Sequence, residues 1–366
     1  MGEYEGHIDL REGVVLVLTV LTATLFLQTP QYLIEVGGPA GWQVALVMTG
    51  SAALLLLPMI ALAGRFPGRG LAEISVEAAG PILGPLLTLP VTLWLLLSAA
   101  LSVRNFTETF LIAILPDTPP SVLITVVIGC AVFASYQGLE AVGRASLILL
   151  PLVAGGGLLV LLFSLPRVDL TLMYPFWGQG LIPTLVGGAY YGTLATEVIF
   201  LLVVGYAFRE GRVLRSSALR GILYFGIGAA LTAWVLVCVF SSPIASQNPF
   251  PLFNLARLIY LGRFLQRTEA VIVMLWFFAA AVRISVLLHA SVVSLAGSLR
   301  LPYYRPLLFP AAVILMALAL VPQNFLEVLR LNRDWLRPAG FVVLTIPLLL
   351  WVLAAVRGKG GSAHAA

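Results

Sequence analysis

Hydrophobic positions along this chain fall in long, nearly unbroken runs rather than in the two-residue alternation of a half-buried strand or the three-to-four spacing of a surface helix. Ten runs stand out, at residues 13–34, 40–63, 84–115, 120–137, 145–165, 180–207, 217–241, 268–296, 305–322 and 338–356. Each is close to the roughly 20 apolar residues that a helix needs to cross a hydrocarbon core. The runs at 84–115 and 268–296 exceed that length and are expected to tilt or to project from the bilayer. Connections between runs are short, which leaves no room for a soluble domain. One transmembrane domain, 13–356, is therefore expected between an N-terminal segment, 1–12, and a disordered tail, 357–366, "RGKGGSAHAA".

Composition agrees with an all-α integral membrane protein of ten transmembrane helices. Only 10% of the residues are charged and 60% are hydrophobic, whereas soluble domains carry about 25% charged residues. The opening "MGEYEGHIDLREG" is acidic and lacks a basic n-region, so it does not read as a cleavable signal peptide. Cys130 and Cys238 both lie inside apolar runs and make no disulfide framework. With the N-terminus cytoplasmic, twelve Lys and Arg fall in inner connections and seven in outer ones (Arg167, Arg257, Arg263, Arg267, Arg330, Arg333 and Arg337). That bias places both termini in the cytoplasm. It also explains the net charge of +5 without nucleic acid as a partner.

Four charged residues lie well inside the runs, away from their ends: Arg104, Glu108, Glu197 and Arg283. Such groups are rare at membrane depth and face a protein interior or a watery cavity. Arg104 and Glu108 are four apart on span three and can pair on one helix face. Glu197 and Arg283 have no oppositely charged neighbour on their own helices. Each must find a partner on another helix or meet water, and a lone carboxyl must otherwise be protonated. His289, flanked by apolar residues, reads as a core histidine. No metal cluster, nucleotide loop or nucleophile–base constellation is visible, so neither a cofactor nor an enzymatic activity is expected.

Small residues gather in two places. Span one carries "TVLTATLFLQTP", with Thr22, Ala23 and Thr24 ahead of Pro30. Span six carries "GGAYYGTLATEVIF", with Gly187, Gly188, Tyr190, Tyr191, Gly192 and Thr193 ahead of Glu197. Close helix packing through small residues is one reading. The other is a pair of interrupted helices whose freed backbone groups hold a ligand. Spans one and six open the two five-span halves, and paired interruptions at matching positions mark a midplane site between inverted repeats. Candidate ligand-binding residues are Thr22, Ala23, Thr24, Gly188, Tyr191, Gly192 and Thr193, with half-helix N–H groups suited to a carboxylate. Tyr190 and Tyr191 read either as an aromatic lid or as interfacial anchors.

Several stretches resemble a known family: "RFPGRGLAEI", "VRNFTETF", "LPDTPPSVL", "GLEAVGRAS", "TEVIFLL" and "FLQRTEAVIVMLWF". In that order and spacing the chain, from about residue 9 to 356, is similar to the spore-germination receptor B subunit family (the GerAB/GerKB-type permeases) of the amino acid–polyamine–organocation superfamily. The resemblance implies a LeuT-like 5+5 inverted repeat with helices one and six broken. It further implies recognition of a small nutrient, commonly an amino acid, as a germination signal. Implied partners are a receptor A subunit and a C-subunit lipoprotein, in the inner membrane of a spore. The chain departs from the Gly-x-Gly break often seen in span one, having Thr22, Ala23 and Thr24 there. Trp276 resembles the family tryptophan of span eight, and a packing role is expected of it. Three classes stay open on sequence: a nutrient-sensing subunit, a proton-coupled or sodium-independent amino acid transporter, and a structural scaffold.

Overall fold

The computed structural model describes residues 7–259 and 268–360, and among them every regular element is helical. Arg263 and Arg267, counted above on the outer side, and the tail beyond Gly360 lie outside the described residues. Each of the ten apolar runs carries helix. Eight helical stretches are long and apolar enough to cross a membrane. Span one is shorter, Leu10–Leu25, as is span nine, Leu308–Leu320. By length and composition alone, then, eight crossings qualify rather than the expected ten.

Helices outrun the hydrophobic runs at several ends. Span five starts at Leu139 and span seven at Gly211, six residues before each apolar run, carrying Arg144, Arg212 and Arg215 on helical turns. Hydropathy marks the hydrocarbon layer, whereas backbone hydrogen bonding continues past it into the headgroup region. Three short helices were not legible as spans: Leu71–Ala79 between spans two and three, and Ser242–Gln247 and Pro251–Arg257 between spans seven and eight. They sit at matching positions in the two halves.

The packing of spans repeats when each is advanced by five. Span one (Leu10–Leu25) packs on span seven (Gly211–Phe240), as span six (from Leu181–Tyr191) packs on span two (from Gly41–Leu55). Span one on span five (Leu139–Ser164) is matched by span six on span ten (Arg337–Val356). Span four (Pro120–Gln137) on span eight (Thr268–Ser298) is matched by span nine on span three (Leu83–Ala113). Spans three and eight pack on each other, each serving as the other's counterpart. That exchange is what an inverted repeat requires. Large apolar side chains such as Phe133, Ile148, Ile182 and Phe309 point outward, as lipid-facing surface does, while small residues line the contacts within.

Candidate functional site

Span one stops at Leu25, turns through residues 26–28 and resumes as Thr29–Gly37. Pro30, in the first turn of the second half-helix, is the local cause, since it has no N–H to offer the carbonyl four residues back. The Leu27 N–H bonds to Thr24, three residues back, at 3.2 Å. Span eight serves the carbonyls near the break: Trp276 Nε1 donates to Ala23 at 3.1 Å, and Arg283 Nη1 donates to Val20 at 2.9 Å.

Span six changes more gradually. The α-helix Leu181–Tyr191 passes into a 3₁₀ stretch, Gly192–Ile199, and one further α-turn, Phe200–Val203. Runs of 3₁₀ longer than about four residues are uncommon, and within a helix they often mark a hinge. Glu197 lies within this stretch. Its neighbour Thr196 is approached by Gly340 of span ten, where a methyl group would sit 2.8 Å from the Thr196 hydroxyl.

Glu197 and Arg283, the two charges without partners on their own helices, find each other. The guanidinium meets both carboxylate oxygens through Nη1 and Nη2, and the pair is almost fully buried. Arg283 Nε donates to Ser102 Oγ at 3.0 Å, and Ser98 Oγ lies 3.4 Å from Glu197. One ion pair thus ties spans one, three, six and eight together at both interruptions. The bidentate fork and extra donors offset the large desolvation cost of burying two charges. Arg104 and Glu108 also pair, at 2.7 Å, and Arg104 Nη2 reaches the Gln323 carbonyl at 3.3 Å.

A small cavity of about 30 Å³ lies beside the span-one break, lined by Thr24, Gln28, Tyr32, Arg283, Asn332 and Arg337 among others. Gln28 and Asn105 exchange reciprocal amide hydrogen bonds at 3.2 and 2.9 Å on one wall. Tyr32 also lines a larger polar vestibule of about 470 Å³ that includes Glu35, Ser246, Arg330 and Arg333. The Tyr32 ring is therefore shared wall between the two spaces. It stacks on Tyr191 at 5.7 Å and 8°.

The sequence candidates divide accordingly. Thr24 reaches the central cavity, whereas Thr22 faces a third, mostly apolar pocket of about 200 Å³ among spans one, five and seven. Ala23 contributes its carbonyl to Trp276. Gly188 remains α-helical and packs on span two, where a methyl group would sit 2.5 Å from Val47 Cβ. Gly192 packs on Ser51 in the same way, and Thr193 Oγ1 caps back to Tyr190 at 2.8 Å. Tyr191 stands behind Tyr32 rather than over the cavity, and Tyr190 donates to the Arg333 carbonyl at 2.8 Å. The interruptions accordingly fall at 26–28, just beyond Thr22–Thr24, and at 192–199, which starts within the expected Gly188–Thr193 segment.

Arg337, Tyr32, Gln28 and Asn332 were not singled out from sequence. Arg337 was assigned to an outer connection, but it is 9% exposed and lines the central cavity. A π-helical turn, Leu331–Leu336, carries the chain inward one turn before the apolar run begins. Its removal reduces the outer basic set and leaves the inner one unchanged.

A protein-family model described as spore germination protein matches residues 7–328. The chain belongs to that family. Spore germination protein XB of Bacillus anthracis is 27% identical over 57% of this chain and 58% of its own length. Spore germination proteins YndE and KB of Bacillus subtilis (strain 168) are each 21% identical. Their matches cover 95% and 97% of this chain respectively, and 96% of each relative. Among solved structures, Mhp1, a nucleobase-cation-symport-1 family transporter in a closed conformation with bromovinylhydantoin bound, aligns with a TM-score of 0.68. The alignment covers 96% of this chain and 94% of Mhp1 at 11% identity, a likeness of fold alone. This germination protein is thus a multi-pass membrane protein of LeuT-like fold, with spans one and six interrupted.

Proposed function

We propose that this chain is the nutrient-sensing subunit of a spore germinant receptor, binding an amino acid at the midplane between broken spans one and six. The observation that carries the reading is a connection. A small cavity with polar walls lies beside the span-one turn, and Arg283 on its wall reaches the span-six 3₁₀ stretch through the buried pair with Glu197. A ligand entering past Tyr32 would perturb groups already in contact with both broken spans, and so bias their packing. A receptor A subunit and a C-subunit lipoprotein, in the inner membrane of the spore, are the partners of this reading. Arg283, fixed between the Val20 carbonyl and Glu197, supplies a resident cation at the junction of spans one and eight. Binding is accordingly expected to need no sodium.

The same resident cation favours a second reading, a proton-coupled or sodium-independent amino acid transporter. Purified chain in proteoliposomes, offered labelled amino acids, separates the two. Saturable binding without flux supports the sensor, and uptake that saturates with substrate supports the transporter. A chain that neither binds nor transports would be a scaffold, and both readings would fall.

A further inference from the structure

We propose that Arg337 holds the carboxylate of the ligand, so that the site selects free small carboxylic acids, α-amino acids among them, over their amides. The proposal rests on reading the midplane cavity as the ligand site and adds the group that confers chemical class.

Three observations support it. First, charge does not balance at the cavity. Glu197 is engaged by both terminal nitrogens of Arg283, and Arg104 is paired with Glu108. Among the described residues no carboxylate lies within ion-pair distance of Arg337. The charged groups that act on it most are Glu197, already committed, and Arg283, of like sign. A guanidinium so deeply buried is costly without an anion.

Second, hydrogen bonding at the cavity is incomplete in a pattern that fits such an anion. Arg337 Nε and the Tyr32 hydroxyl are both buried without partners, on two residues that line the cavity. Two unpartnered donors on residues around one small space suit an acceptor. Asn332 Oδ1, also without a partner and on the same wall, is an acceptor suited to a ligand ammonium.

Third, the sizes agree. A space of about 30 Å³ is close to the liquid volume of one water, room for a compact group such as a carboxylate and not for a whole ligand. The rest of the ligand would displace the Tyr32 ring toward the adjoining vestibule, which is large enough to receive it.

The test uses the full chain in lipid nanodiscs. Each of the common free amino acids is measured by equilibrium binding, and every one that binds is compared with its carboxamide. Propionate and propionamide are compared in parallel by thermal melting. Wild type, Arg337→Gln and Arg337→Lys are run side by side, with melting and size-exclusion profiles as controls for folding. The expected result is that wild type binds acids about 10- to 100-fold more tightly than amides, as the loss of a charge-assisted hydrogen bond implies. Arg337→Gln abolishes that preference, and Arg337→Lys keeps part of it. Equal binding of acid and amide by wild type, or an undiminished preference in Arg337→Gln, overturns the proposal and leaves the midplane reading standing. If no amino acid binds but propionate stabilises wild type and not Arg337→Gln, the amino-acid reading falls and the role of Arg337 stands. If neither probe acts on wild type, both fall. Should Arg337→Gln not fold, the wild-type comparison with Arg337→Lys decides the matter by the same criteria.

Discussion

The interruption of span one is a three-residue turn ahead of a proline, whereas that of span six is an eight-residue 3₁₀ stretch with no proline in it. The first is written into the local chain, because Pro30 cannot donate to the helical ladder wherever it is placed. The second depends on what surrounds it: Glu197 drawn to Arg283, and Thr196 against the bare face of Gly340. Matching positions in two inverted halves have thus reached similar ends by different physics. Span eight serves both, but unequally. Arg283 bonds to both span one and span six, while Trp276 donates to span one and packs its ring on Phe106 of span three.

That asymmetry can be taken apart by substitution. Arg283→Ala should have the largest effect, because it strands Glu197 as a buried unpaired charge and removes a donor from Val20. A loss of about 3–5 kcal/mol is expected, read as a large fall in melting temperature in detergent or nanodiscs. Glu197→Gln combined with Arg283→Gln should recover part of that loss. If the double variant is no better than Arg283→Ala, charge pairing is not what joins the two breaks.

Gly340→Ala should cost less, about 1–3 kcal/mol, since Thr196 must move to admit the methyl group. Hydrogen exchange should quicken across 192–199 and stay unchanged around 26–28. Equal change at both places would mean that the two interruptions are not independent. Trp276→Phe is the converse, leaving the Ala23 carbonyl without its donor for about 1 kcal/mol. Exchange should quicken at the span-one turn only. The smallest expected effect is none at all: replacing potassium by sodium at constant ionic strength should leave amino acid binding unchanged. A sodium-dependent gain in affinity would show that Arg283 does not stand in for a coupled cation.

Much of this was legible in the sequence where the governing interaction is local. Arg104 and Glu108 are a helical turn apart, and their pairing needs only that spacing. Pro30 announces the first break, although the turn falls at 26–28 because the carbonyl it leaves without a donor lies four residues back. Glu197 and Arg283 could be read as needing partners on other helices, but which partner each takes depends on how spans six and eight meet. The glycines of span six illustrate the opposite difficulty. Gly188 and Gly192 signalled an interruption, but they serve contact with span two, and the 3₁₀ stretch begins only at Gly192. Arg337 was hidden by its neighbours. Following Arg330 and Arg333, it reads as another loop cation, and only the π-helical turn draws it into the interior. Tyr32 was likewise obscured by the more conspicuous Tyr190–Tyr191 pair.

The small volume of the central cavity has a thermodynamic consequence of its own. At about 30 Å³ it is too small for an amino acid, so on the proposed reading a binding-competent form must enclose more space than this compact one. Before a ligand arrives, that added polar volume fills with water, at roughly 30 Å³ of liquid for each molecule taken up. Opening is therefore a hydration step, and its equilibrium is linked to water activity as binding is linked to ligand concentration. On that reading, osmotic stress from a solute too large to pass Tyr32 should favour the compact form and weaken ligand affinity without touching any residue of the site.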